Sequence, residues 1–471
     1  MLPITILFPI LAGVGVSALR LERRMRNICY AAVLLVTDAL GALSALRGAP
    51  VTLFRLAENI PLAFALDSLG RFFLVLVLTL YTLAGVYAFE YLEFDDREND
   101  FFAFWFASMG AMLAASMAAN LVSLYLCFEL ATLSSMPLVL HERTKESVGA
   151  ALKYLFYSIG GALLGLFAVI TLCLYGSGEF AYGGFLSDSV IAEHGELLRA
   201  AAFVGVVGFG AKAGMYPLHG WLPAAHPVAP APASALLSGL IAKAGILAVT
   251  RLVYFSAGAD LLRGSWAQTA WMILALLTVF MGSMMAWREK VLKKRLAYST
   301  VSQLSYIMLG LSLLCDDGLR GALLHAAGHA CAKGALFLCA GVVIHKLGLH
   351  RVDELRGVGQ RMPVTMWCFT IASLSLVGIP PLAGFTSKWQ IASSALREAP
   401  GAFSVLIPAM LLVSALLTAG YLLPVVVAAF FPGKDEAFST ESAEPSPLMT
   451  VPTALLCAGA LAVGLFGGKL I

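Results

Sequence analysis

Glu129, Lys212, Lys243 and Lys333 each stand in the middle of a long apolar run, with roughly ten apolar or small residues on either side. Side chains so placed cannot stretch to water along their own helix. They must pair, face an internal polar path, or give up their charge. A lysine or aspartate at a helix centre costs about 2.5–3.5 kcal/mol on the insertion scale, so several in one chain point to an ion or substrate pathway. Lysine suits proton handling in particular. Burial disfavours its charged form and a nearby carboxylate favours it, so a buried lysine with a movable carboxylate partner can be switched between holding and releasing a proton. Glu129 is the natural partner for Lys212.

His325, His329 and Lys333, in HAAGHACAK, recur every four residues and share one stripe of one helix. Two histidines in that spacing can ligate a metal, but no carboxylate or thiolate completes a site on that face, although Cys331 is close in sequence. A polar, hydrated stripe serving Lys333 is the more economical reading, and no metal is expected. Arg71, Lys153 and Arg251 lie near span ends and can snorkel to the headgroups. Asp38 and Asp67 suit capping or structural hydrogen bonding.

The elements that must position these groups follow from composition. Of 471 residues, 60% are hydrophobic and 13% charged, and mean hydropathy is +0.86; a water-soluble domain carries about 25% charged residues. Reading apolar stretches of about 20 residues as spans gives about fourteen between residues 3 and 468. The loops on one side then hold seventeen basic residues, Arg20, Arg23, Lys293, Arg295 and Lys434 among them, and those on the other hold seven. By the positive-inside rule both termini lie outside. The first segment, Leu2 to Leu19, has its basic cluster after it and reads as a retained helix rather than a leader. Eight scattered cysteines without a CxxC pair give no reason for iron–sulfur or zinc ligation. Residues 433–448 read as a polar surface loop.

Two spans carry helix-breaking sequence at mid-depth. Gly208 to Ser234 holds Pro217, Pro223, Pro227, Pro230 and Pro232; Ser375 to Gln390 holds Gly378, Pro380, Pro381 and Gly384. Proline removes a backbone donor, and in lipid the freed groups must face protein or water. Interrupted helices in two halves of a chain mark a transporter's site. Each break lies beside a lysine, Lys212 at the first and Lys388 at the second.

The stretch from about Phe102 to Leu422 resembles the antiporter-like membrane subunits of respiratory complex I, Mrp-type cation/proton antiporters and membrane-bound hydrogenases. The motifs are FELATLSS (128–135), PLHGWLPAAHPVAPAPASALLSG (217–239), KKRLAYSTVSQLSY (293–306), HACAKGALF (329–337) and GIPPLAGFTSK (378–388). The resemblance implies an all-α polytopic membrane protein of about fourteen transmembrane helices, with two inverted five-helix repeats and two broken helices. It implies N-terminal helices over 1–100, a translocating core over 101–432, and a polar loop and last helix over 433–471. It assigns proton translocation to Glu129, Lys212, Lys243, His329, Lys333 and Lys388, with Lys153, His219, His226 and His325 as path or support.

A lysine at 388, where some complex I subunits carry glutamate, points to the smallest of those subunits, to the Mrp D subunit or to a hydrogenase homologue. With Ile471 closing the sequence just after the last span, no lateral helix is expected. The function implied is a proton- or sodium-translocating subunit of a complex I-like NADH:quinone oxidoreductase or related hydrogenase, the alternative being a D-like subunit of a Na+/H+ antiporter. Neither redox-cofactor motif nor quinone site is present, so this chain is expected to carry no cofactor and to oxidise nothing itself. Its expected partners are other membrane and redox subunits, the bilayer of a prokaryotic cell (inner) membrane, and H+ or Na+; no nucleic acid is expected.

Overall fold

A computed structural model describes residues 1–19, 21–57, 60–433 and 441–470. Arg20, Lys434 and residues 434–440 of the polar loop lie outside the described residues. The chain is mostly helical, at 80%, and ten helices among the described residues are long and apolar enough to cross a membrane. Most are apolar around their whole circumference, as buried or lipid-facing helices are.

In chain order the helices begin with α1 (Leu2–Ala18) and α2 (Arg23–Arg47). A hairpin of β1 (Val51–Ala57) and β2 (Ile60–Phe64) follows, antiparallel and not anticipated from the sequence. Then come α3 (Ser68–Tyr91), α4 (Glu98–Met117), α5 (Leu121–Leu140), α6 (Lys145–Tyr175) and α7 (Asp188–Lys212). Short α8 (Leu222–Val228) and α9 (Ala231–Leu236) lead through a π-helical turn, Leu237–Ile241, into α10 (Lys243–Leu252). After α11 (Ala259–Leu262) the long helices resume with α12 (Trp266–Arg288), α13 (Leu292–Ser312) and α14 (Asp316–Leu347). The last are α15 (Val358–Arg361), α16 (Pro363–Val377), α17 (Ala383–Glu398), α18 (Phe403–Phe430) and α19 (Pro447–Leu470).

The chain divides into two compact units. The first comprises Met1–Thr82, Phe94–Trp221 and Leu240–Trp271. In it α4 packs on α1 and α5, α6 on α5 and α7, and α10 on α7. The start of α5 is pinned by the hairpin. Asn120 caps the helix by accepting from the Ser123 amide at 2.8 Å, and its own amide donates to the Pro61 carbonyl at 2.9 Å.

The second unit comprises Leu83–Glu93, Leu222–Gly239 and Met272–Ile471. Its centre is α14, which packs against α9, α13, α16, α17 and α19; every residue from Gly321 to Val343 is buried. The orphan amides at the start of α16 are satisfied from afar. Glu444 accepts from the Val364 and Thr365 amides at 2.9 Å each, where a negative group also suits the helix dipole.

Both proline-marked spans are broken in the structure. The first break separates α7 from α8 and the second separates α16 from α17.

Candidate functional site

In the first unit the proline-rich break ends α7 at Lys212, which is 1% exposed. Gly214, with φ of 75°, turns the chain away, and Trp221 donates from its indole to the freed Ala211 carbonyl at 3.0 Å. The Lys212 ammonium donates to the Thr132 hydroxyl on α5, which itself donates to the Phe128 carbonyl at 3.1 Å. Aromatic faces complete the enclosure, Phe128 at 4.8 Å and Tyr154 at 5.4 Å from Nζ.

Glu129 sits three residues before Thr132 on α5, half-buried, and its Oε1 is buried with no hydrogen-bond partner. Its charge acts on Lys212. Among the described residues, however, Lys212 forms no ion pair; its partner is a neutral hydroxyl.

Lys243, fully buried, opens α10 directly after the π-helical turn. Gly245 lets that helix lie against the broken end of α7: a Cβ there would stand 2.5 Å from the Phe209 carbonyl oxygen and 2.9 Å from the Ala213 nitrogen. Lys153 is exposed on α6 and runs beside Gly220. The half-buried His219 ring stacks on Tyr216 with centroids 5.8 Å apart.

Arg251 departs from the snorkelling expected of it. It is 2% exposed, and its guanidinium grips both oxygens of Asp67 at 2.5 and 2.7 Å, with Phe180 and Phe255 against its faces. Its position near a span end concealed that an acid 184 residues earlier would meet it.

In the second unit His226 is fully buried and stacked on Phe337 at 4.4 Å. On α14 the His325 ring lies 6.2 Å from that of His329, and its Nδ1 is 2.9 Å from the Ser387 hydroxyl of α17. Lys333, on the same stripe, donates to the Leu296 carbonyl at 2.9 Å.

Lys388 follows Ser387 and reaches back across the second break. It donates to the Leu376 and Val377 carbonyls, at 2.5 and 3.0 Å, which the interruption of α16 has released. Tyr306 turns its ring face to the ammonium at 5.0 Å. Among the described residues Lys388 forms no ion pair.

Lys293 and Arg295, read from the sequence as loop charges, belong to the buried first turn of α13. Lys293 donates to the Ala229 carbonyl, and Arg295 to the Tyr421 and Glu289 carbonyls. The sequence reading also passes over Thr132, Gln303, Tyr306 and a cluster of buried serines. The density of hydroxyl and amide groups in AYSTVSQLSY was the available signal. Among the described residues no three His, Cys, Asp or Glu side chains gather to hold a metal.

Residues 118–418 match the family described as NADH:quinone oxidoreductase/Mrp antiporter, TM. The chain belongs to this family. As a member it is an integral, multi-pass membrane protein of the ion-translocating, antiporter-like kind.

It is 32% identical over 422 residues to NADH-quinone oxidoreductase subunit N of Desulforudis audaxviator, covering 86% of this chain and 82% of that one. It is 35% identical over 354 residues to hydrogenase-4 component B of Escherichia coli, covering 70% of this chain but 51% of that one. Among solved structures, the membrane-bound sulfane sulfur reductase, an archaeal respiratory membrane complex, matches with a TM-score of 0.82 and 25% identity, covering 98% of this chain and 75% of that chain. The Mrp complex of Dietzia sp. matches at 0.83 and 21%, covering 100% and 95%. Respiratory complex I from Thermus thermophilus matches at 0.83 and 23%, covering 100% and 96%. The last two likenesses speak to the antiporter-family fold alone.

Proposed function

We propose that this chain is the proton-translocating membrane subunit of a complex I-like NADH:quinone oxidoreductase or a related membrane hydrogenase, working along Glu129, Lys212, Lys243, His329, Lys333 and Lys388. The observation that carries the reading is the neutral company of the two lysines at the breaks. A hydroxyl holds Lys212 and two carbonyls hold Lys388. Neutral acceptors can bind an ammonium or an amine, so loss of the proton leaves no buried carboxylate stranded.

In this reading protons enter from the inner side toward Lys212, pass to Lys243 and then to His329 and Lys333, and leave outward from Lys388. Glu129 moves toward or away from Lys212 and changes its hold on the proton. Lys153, His219, His226 and His325 support the path. The driving event comes from other subunits of a multisubunit assembly, to which the chain contributes no electron transfer. The fold comprises about fourteen transmembrane helices with two inverted five-helix repeats, both termini outside a prokaryotic cell membrane, and the core spans 101–432.

A second reading, a D-like subunit of a multisubunit Na+/H+ antiporter, is favoured by the match over 95% of a chain of the Mrp complex. Purifying the assembly from native membranes and identifying its subunits decides between them. Iron–sulfur or nickel–iron partners support the first, and small antiporter subunits alone support the second. Unchanged ion transport in vesicles carrying the assembly with both Lys212→Ala and Glu129→Ala would defeat the translocation reading.

A further inference from the structure

The second unit contains a row of buried hydroxyls that the lysine axis does not use. At its outer end is a cavity of about 370 Å³ whose wall includes Trp287, Lys290, Arg295, Asp353, Gly420 and Tyr421. The Tyr421 hydroxyl points inward from this mouth and donates to Ser299 at 2.8 Å, with Thr418 at 3.3 Å. One turn further along α13, Ser302 meets Ser283 at 2.8 Å and Ser414 at 3.2 Å, and Ser283 and Ser414 meet at 2.6 Å. All of these groups are buried.

Beyond the serines the row reaches groups with no partner. Gln303 is fully buried with both amide atoms unsatisfied, and the Ser305 and Tyr306 hydroxyls are likewise orphaned. The Tyr306 hydroxyl lies beside Ser414, Gln303 and Ser302 without hydrogen-bond geometry to any of them. The face of the same ring carries the Lys388 ammonium. Residues 299, 302, 303 and 306 share one face of α13.

Hydroxyls also serve as plain glue between membrane helices. Glue has its hydrogen bonds closed, whereas buried groups left open in a native interior are commonly met by internal water. An open amide and phenol at the inner end, with a polar mouth at the outer end, is the pattern of a conducting row.

We propose that Tyr421, Ser299, Ser302, Ser283 and Ser414 form a proton wire that joins the mouth at Arg295 and Asp353 to Gln303, Tyr306 and Lys388. It rests on the reading of Lys388 as a translocating residue and adds a route and an ion. Each hydroxyl donates one hydrogen and accepts at its lone pairs, so a proton arriving at one oxygen releases another onward. The turn between Ser299 and Ser302, about 5.4 Å of helix rise, is crossed by one water or by rotation of the Thr418 hydroxyl. The serine contacts close to 2.6–2.8 Å at their tightest and no carboxylate stands among them, so the row suits protons rather than sodium.

The test uses the full chain in its native membranes. Ser302→Cys is treated with a small charged methanethiosulfonate and labelling is read by peptide mass spectrometry, with Leu304→Cys on the same helix as the dry control. The proposal expects Ser302→Cys to label at least ten-fold faster; equal rates would overturn it.

Proton transport by vesicles carrying the assembly is then compared for Tyr421→Phe, Ser302→Ala/Ser414→Ala, Ser302→Thr and Lys388→Ala. Tyr421→Phe and the double alanine should lose about ten-fold, Ser302→Thr should retain most activity, and replacing sodium by choline should change nothing. If Lys388→Ala abolishes transport while the hydroxyl variants transport normally, the wire is wrong and the lysine reading stands. If Lys388→Ala itself transports normally, the lysine reading fails, and with it the wire's destination. Transport that requires sodium would overturn the choice of ion.

Discussion

The two broken helices solve one problem in opposite ways. At the first break the lysine is the last residue of the leading half, α7, and is held by Thr132, a side chain on another helix three residues from a carboxylate. At the second break the lysine lies in the following half, α17, and is held by the main-chain carbonyls that the interruption of α16 leaves open. The charge of Glu129 acts on Lys212, whereas burial alone perturbs Lys388. The comparison teaches that a membrane lysine can be held by a movable group answerable to a nearby acid, or by a fixed cradle answerable to nothing but the local fold. The Trp221 indole sharpens the contrast, because it occupies the Ala211 carbonyl that the first break releases.

The comparison breaks most readily at the lysines themselves. Lys212→Ala and Lys388→Ala are each expected to reduce ion transport in vesicles at least ten-fold, with the assembly still recovered at near-normal yield. Normal transport in either variant removes that break from the path. Arg251 offers the counter-case of a buried cation held by an acid. Arg251→Leu strands Asp67, and because that carboxylate is partly exposed the expected cost is about 1–3 kcal/mol, below the range for a fully buried pair. The loss is read as lower thermal stability in detergent, with transport per folded molecule retained.

Glu129→Gln tests the asymmetry between the breaks. It should cut transport several-fold and shift its pH dependence, while leaving unchanged the accessibility of a cysteine placed at Ser387. Equal disturbance at both positions would mean that the second break also answers to Glu129. The smallest effect is expected at Thr132. Thr132→Val should slow transport two- to five-fold and Thr132→Ser should restore it, since serine keeps the acceptor oxygen and loses only a methyl group.

What the sequence discloses here is whatever costs free energy to place in lipid. Lys212, Lys243, Lys333 and Glu129 are conspicuous because charge in an apolar run is expensive, and both breaks are conspicuous because proline cannot continue a helix. The company these groups keep is far less legible. The carbonyls that hold Lys388 and Lys333 belong to Leu376, Val377 and Leu296, whose side chains say nothing about their backbone oxygens. Thr132 and Ser387 look like ordinary small residues of a membrane helix. Arg251 and Asp67 were both visible, but only the tertiary fold joins them. The β1–β2 hairpin escapes notice because a short segment between two dominant apolar runs leaves little periodic signal.

Gly384 shows how the second cradle would register in a saturation mutagenesis screen. A Cβ at this position would overlap the Ser375 carbonyl oxygen, so all nineteen replacements collide with backbone rather than with a flexible side chain. The position would score as intolerant as Lys388 although it carries no group that handles a proton. Activity alone would therefore mark two hot spots four residues apart. Scoring abundance beside activity separates them, because replacements at Gly384 deplete the folded protein and those at Lys388 leave it present and silent.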